Sequence, residues 1–195
     1  MLNIGDVKTD IFFDEKNKNK ILDKLYEAHP KLKGRKIIVY ISTNGEAIDD
    51  SAMYEYLYKN YVLLKCYTNL NNVTETLVYY ADSIVDVSDI FKPYELLSIA
   101  DIAIGNINAP VLSFAATGKP LFLYTKNTNK ALFEAETLVD VKEDIKLPIY
   151  NSIDDVIKEI LDIENYDYSG YNQIKDKYLA NCNGKSLENL LNKLK

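Results

Sequence analysis

Tryptophan is absent from the 195 residues, histidine occurs once, as His29, and cysteine twice, as Cys66 and Cys182. A single histidine excludes a cluster of imidazole metal ligands and argues against a histidine-based catalytic triad. Two cysteines so far apart make neither a disulfide framework nor a thiolate metal cluster, and Cys66, inside an apolar run, reads as core. Basic excess is lacking too: 23 Lys and Arg stand against 29 Asp and Glu, a net charge of -6. Such a balance supplies no broad positive field, so nucleic acid is not the expected partner. An anionic small ligand stays open, because it needs only local N–H groups and one or two cations. No apolar run approaches the roughly 18 residues of a membrane span, and Asp6, Asp10 and Asp14 interrupt the start. A cytoplasmic chain without a signal peptide is the expectation.

Hydrophobic residues at 47% and charged residues at 27% make an ordinary globular mixture, and the length suits one domain with a real core. The 16 tyrosines read as half-buried rings with wet hydroxyls rather than as 16 functional groups. Apolar spacing predicts a helix over 15–28, closed by Pro30 and Gly34. His29 then sits at a helix end. Ile37 to Ile41 is a β-branched run apolar on both faces, the mark of a central parallel strand. A helix over 50–59 and a strand over 61–66 follow, then a weak helical stretch at 73–80 and a strand at 84–87. Ser88 or Asp89 can cap the next helix, which carries Pro93 in its first turn and ends near Ala100. A strand over 101–105 leads to a helix capped by Asn108, with Pro110 in its first turn and Gly118 at its end. Further strands are expected at 121–124 and 147–150, and helices near 130–136, at 153–161, near 170–180 and at 186–194.

Strand and helix alternate throughout, which predicts a single α/β domain over 1–195: a Rossmann-like parallel sheet with helices on both faces. Its parts are a leading segment and helix (1–34), the sheet core (35–162) and closing helices (163–195). Right-handed crossovers bring the strand-to-helix loops to one sheet edge, where ligands of such folds bind. Of these loops, Gly105-Asn106-Ile107-Asn108 has the clearest mechanism. Gly105 permits a tight turn, the two asparagines offer amide donors and acceptors, and the helix from Ala109 aims free N–H groups at the loop. The plainer reading is a turn followed by a cap. A second candidate is Gly184-Lys185-Ser186, whose N–H groups and lysine could meet a phosphate or simply begin a capped helix. Glu46 is expected to face water. Asp86, Asp89 and Asp101 read as strand-end and cap residues, with no metal-loop spacing. No full dinucleotide fingerprint occurs.

The order of these segments resembles the C-terminal half of the CDP-glycerol glycerophosphotransferases of teichoic acid and capsule synthesis. Gly5 to Asp10 is similar to the family's Gly-Asn-Pro-Arg-x-Asp segment, and Arg35 to Thr43 to its first strand and loop. Asp86-Val87-Ser88 with Tyr94 to Asp101 is similar to its D-x-S and ELL-x-x-SD stretch, Ile102 to Pro110 to its Thr-Asp-Tyr-Ser-Ser loop, Phe114 to Tyr124 to its F-D-F-A-L-L-x-K-P strand, and Asn183 to Ser186 to its D-G-x-A stretch. The resemblance implies a GT-B donor domain that holds CDP-glycerol or a related nucleotide diphosphate at Thr43, Gly105, Asn106, Asn108, Ala109, Gly184, Lys185 and Ser186, with no resident cofactor. It also implies an N-terminal domain or partner protein on the acceptor side, and peripheral contact with the inner membrane face through that partner. The departures are specific. Asn108 and Ala109 replace two serines, the arginine after the first strand is missing, Tyr67 stands where the family has a histidine, and Asn189 or Leu190 replaces an arginine of the last helix. Two readings therefore stand: part of a longer transferase, or a diverged relative that binds without catalysing. A non-catalytic module that docks a partner protein is the alternative use of the same fold.

Overall fold

The computed structural model describes residues 4–43, 45–68, 82–126 and 146–194. The expected helical stretches at 73–80 and 130–136 lie outside these residues. Six parallel strands form one sheet in the order β3-β2-β1-β4-β5-β6. They are β1 (Lys36–Ser42), β2 (Tyr61–Tyr67), β3 (Ile84–Asp86), β4 (Ile102–Gly105), β5 (Leu121–Tyr124) and β6 (Ile149–Tyr150). The helices are α1 (Glu15–Ala28), α2 (Asp50–Leu57), α3 (Pro93–Ile99), α4 (Ala109–Ser113), α5 (Ile153–Leu161), α6 (Ser169–Tyr178) and α7 (Ser186–Lys193).

The continuous apolar run of β1 places it in the middle, paired with β2 on one side and β4 on the other. Alternate side chains serve opposite faces. Ile37, Val39 and Ile41 join the larger core, with Leu25, Leu96, Leu97, Phe114 and Tyr171. Ile38 and Tyr40 join the second core, with Met53 and Leu57 of α2 and Val156, Ile157 and Ile160 of α5. A buried Leu or Ile contributes about 1.5–3 kcal/mol by leaving water, and both faces of β1 do so along nearly its whole length.

The structure refines several expectations. Val7–Phe13 is a 3-10 helix rather than an irregular start, with Asp6 accepting from the Lys8 N–H at 3.0 Å. Ser88 and Asp89 do not cap α3. The Asp86 carboxylate takes both the N–H and the hydroxyl of Ser88, so 88–90 forms a turn and the helix starts after Lys92. There Glu95 folds back to accept the Lys92 N–H at 2.8 Å. Edge strand β6 is two residues long, so Leu121 at the start of β5 extends beyond it. The Tyr166 hydroxyl fills the gap, donating to the Leu121 carbonyl at 2.7 Å and accepting from its N–H at 3.2 Å. These two contacts satisfy backbone groups that a longer β6 would have taken.

Candidate functional site

The strand order reverses direction between β1 and β4, which makes their carboxyl ends the switch point of the sheet. Thr43 follows β1 and the Gly105–Asn108 loop follows β4, so the two meet there. The Thr43 N–H donates to Asn106 Oδ1 at 3.2 Å, and Asn106 Nδ2 donates to Thr43 Oγ1 at 3.1 Å. Asn108 Nδ2 donates to both the Asn106 carbonyl and Asn106 Oδ1 at 2.9 Å. Asn108 Oδ1 in turn accepts the Val111 N–H at 2.9 Å, which makes Asn108 the cap of α4 as its sequence position suggested. Five of the residues named from sequence, Thr43, Gly105, Asn106, Asn108 and Ala109, therefore lie together at this edge.

The donor inventory of α4 is short. Pro110 has no N–H, Val111 donates to the Asn108 side chain, and Leu112 donates to the Asn108 carbonyl at 3.0 Å. That leaves Ala109, an exposed residue, as the remaining N–H of the first turn. Asn106 and Asn108 are only 4% and 6% exposed, so they are packed into the carboxyl edge more than they project from it. Gly105 is needed for space rather than for a turn. Its φ is not positive, and a Cβ there would lie 2.5 Å from the Ile41 carbonyl oxygen and 2.7 Å from Val111 Cγ2.

Around this edge the charge is mixed. Lys65 lies in β2 at 2% exposure, with Nζ 2.6 Å from Asp50 Oδ2 at the start of α2. The other Asp50 oxygen is buried without a hydrogen bond. A lone lysine inside an otherwise apolar strand is the signal by which this pair could have been found. Glu46, expected to face water, instead accepts from Thr125 Oγ1 at 3.1 Å and from the Lys126 N–H. Arg35, the single arginine of the sequence, is at the opposite edge. Its guanidinium there donates to the carbonyls of Tyr58, Lys31 and Asp82 and to Ser83 Oγ. Arginine thus gives nothing to the carboxyl edge.

Tyr67 ends β2 at 4% exposure, and its N–H donates to Ser88 Oγ at 2.9 Å. Burial, reinforced by the Asp50 carboxylate, raises its pKa well above that of an ordinary phenol. Such a group keeps its proton and cannot act as the base that an imidazole would be. His29 ends α1, its N–H donating to the Leu25 carbonyl at 2.8 Å.

The Gly184-Lys185-Ser186 loop belongs to a different assembly. The N–H groups of Ser186 and Leu187 both donate to the Asp10 carboxylate at 3.1 Å. A carboxylate of the chain itself thus takes the two donors that the sequence offered to phosphate, the capped-helix alternative. Gly184, with φ +83°, packs against Phe13, whose Cβ would be 2.6 Å from a Cβ at this position. Lys185 remains exposed. Among the described residues, no group of three His, Cys, Asp or Glu side chains is placed to hold a metal ion.

The whole chain, residues 1–195, matches the family described as CDP-Glycerol:Poly(glycerophosphate) glycerophosphotransferase. It is similar to the teichoic acid poly(ribitol-phosphate) polymerase of Bacillus spizizenii, at 24% identity over 97% of this chain and 32% of that protein. The teichoic acid glycerol-phosphate primase of Bacillus subtilis is 30% identical over 98% of this chain and 50% of its own length. The chain thus spans about a third to a half of these relatives. In three dimensions it is similar to a His-to-Asn variant of the wall teichoic acid polymerase TagF soaked with CDPG. The TM-score is 0.77 at 22% identity, covering 99% of this chain and 49% of that one. At that identity the likeness speaks for the fold.

Proposed function

The chain belongs to the CDP-glycerol:poly(glycerophosphate) glycerophosphotransferase family, and from that membership we propose that it is the donor-binding half of such a transferase in teichoic acid or capsule synthesis. The ligand is CDP-glycerol or a related CDP-alditol. Its diphosphate lies across the crevice between β1 and β4, against Thr43, Gly105, Asn106, Asn108 and the exposed Ala109. The observation that supports this most is the hydrogen-bonded Thr43–Asn106–Asn108 set at the switch point of the sheet. The Gly184–Ser186 loop enters this proposal only through the exposed charge of Lys185, since Asp10 holds its N–H groups.

In a full transferase an acceptor hydroxyl attacks the β-phosphorus of the donor and CMP leaves. The present residues hold the donor; they do not supply the base. The buried, protonated Tyr67 supports a chain that binds without completing transfer on its own. The acceptor side comes from an N-terminal domain or a partner protein, through which the domain meets the inner face of the membrane. Among the described residues, no helix is long and apolar enough to cross a membrane. The test is calorimetric titration with CDP-glycerol, compared with CMP and a UDP-sugar. Saturable CDP-glycerol binding in preference to the others is expected, and no heat at millimolar ligand refutes the donor reading. A module that only docks a protein would give that null result with a folded domain.

A further inference from the structure

The loop after β1 does more than carry Thr43. It reaches past the end of β4 to β5, where the Glu46 carboxylate accepts from Thr125 Oγ1 at 3.1 Å and from the Lys126 N–H. Its backbone is fixed on the other side, since the buried Tyr40 hydroxyl donates to the Glu46 carbonyl at 2.6 Å. Thr125 is 2% exposed and its own N–H donates to the Tyr150 carbonyl at 2.9 Å, so its hydroxyl is rigidly aimed. A buried hydroxyl and an adjacent backbone N–H thus converge on one anionic group. This is how folded chains hold phosphate and carboxylate oxygens alike.

We infer that Thr125 Oγ1 and the Lys126 N–H form an anion subsite of the crevice, which the Glu46 carboxylate fills in the free protein and which a phosphate group of the ligand takes by displacing it. Two anions cannot share the pair of donors without repulsion, so the carboxylate has to leave as the phosphate arrives. The Tyr40 contact holds the Glu46 backbone in place, so only the side chain has to leave, by rotation about its own bonds. Among the described residues, neither Arg35, at the far edge, nor Lys65, engaged with Asp50, adds a donor to the site. Self-occupancy lowers the apparent affinity of the free protein by the fraction of molecules in which Glu46 is out.

The nature of the ligand rests on the donor reading above; the subsite itself is tested apart from it. Glu46→Ala and Glu46→Gln are titrated with inorganic pyrophosphate and, separately, with CDP-glycerol, beside the unsubstituted chain, with thermal melts confirming folding. Glu46→Ala is expected to bind pyrophosphate about tenfold more tightly, as removal of a charge-assisted competitor requires. Glu46→Gln, which keeps a neutral acceptor for the Lys126 N–H, should gain less. Adding Thr125→Val to Glu46→Ala should cancel the gain. If both Glu46 variants bind either anion no better than the unsubstituted chain, the inference is overturned and Glu46 is a loop staple. Should the variants gain pyrophosphate affinity while no protein binds CDP-glycerol, the subsite stands and the donor reading falls.

Discussion

Replacing Asn108 isolates what the packed asparagines of the carboxyl edge contribute. In Asn108→Ala, α4 loses the acceptor of the Val111 N–H, a cap worth about 1 kcal/mol. The two Nδ2 hydrogen bonds to the Asn106 carbonyl and Oδ1 also disappear, at about 0.5–1 kcal/mol each in a buried site. The sum is about 2–3 kcal/mol. For a domain of this length that is a fall in Tm of about 4–12 °C. Asn108→Ser keeps a capping oxygen and should lose only the second part. Asn108→Asp keeps the cap but turns an oxygen toward the two Asn106 oxygens, so at neutral pH it should be worse than alanine. The sign of its pH dependence follows. Burial and the facing lone pairs raise the folded pKa of the new carboxyl above its unfolded value of about 4, so its deficit shrinks as pH falls and grows as pH rises. Urea unfolding at several pH values reads all three variants. A loss below about 0.5 kcal/mol for Asn108→Ala, with the slope unchanged, would refute the assignment of Asn108 as both cap and packed partner of Asn106.

Other outcomes follow from single contacts. Lys65→Met leaves the Asp50 carboxylate without its buried partner and should cost about 3 kcal/mol or more, and adding Asp50→Asn should recover part of that in a double-mutant cycle. Asp10→Ala frees the Ser186 and Leu187 N–H groups, and should cost about 1–2 kcal/mol and speed amide exchange in α7 above all. Alkaline titration should be delayed in the native chain. Burial pushes the Cys66 thiol up to about 11, and the Tyr124 and Tyr166 hydroxyls to about 12. These raised values stabilise the fold fully below the unfolded pKa values. That stability is lost as pH rises from about 9 for the thiol and about 10 for the phenols through the folded values. Phenolate absorbance should therefore show a late step that coincides with unfolding, and Cys66 should resist thiol reagents at pH 8.

The sheet was legible because periodicity is local. Ile37 to Ile41 announces a strand covered on both sides, and the structure buries every one of these residues. Asn108 before Ala109-Pro110 announces a capped helix, and it is one. What sequence did not disclose is held by partners far along the chain. Thr43 and Asn106 are 63 residues apart, Glu46 and Thr125 are 79 apart, and Asp10 and Ser186 are 176 apart. No window of sequence contains either half of these pairs with the other. Ser88 shows a local failure of a different kind: its hydroxyl was open to capping a helix but is committed to Asp86 and the Tyr67 N–H. Gly105 was read as a turn residue but is needed for space, because a close approach of Ile41 and Val111 leaves no periodic trace.

The shared Asp10 carboxylate has a consequence for the order in which the domain can be made. It ties the opening 3-10 helix to the first turn of α7, and nearby the Asp6 N–H meets Cys182 Sγ at 3.3 Å. The beginning of the fold is therefore sealed by its end. During synthesis the Asp10 carboxylate stays solvated until residue 187 has left the ribosome, and closing so long a loop is slow. The seal also brings the two ends of the domain side by side, so that dyes attached near residues 4 and 194 should transfer energy efficiently only once the last helix has docked.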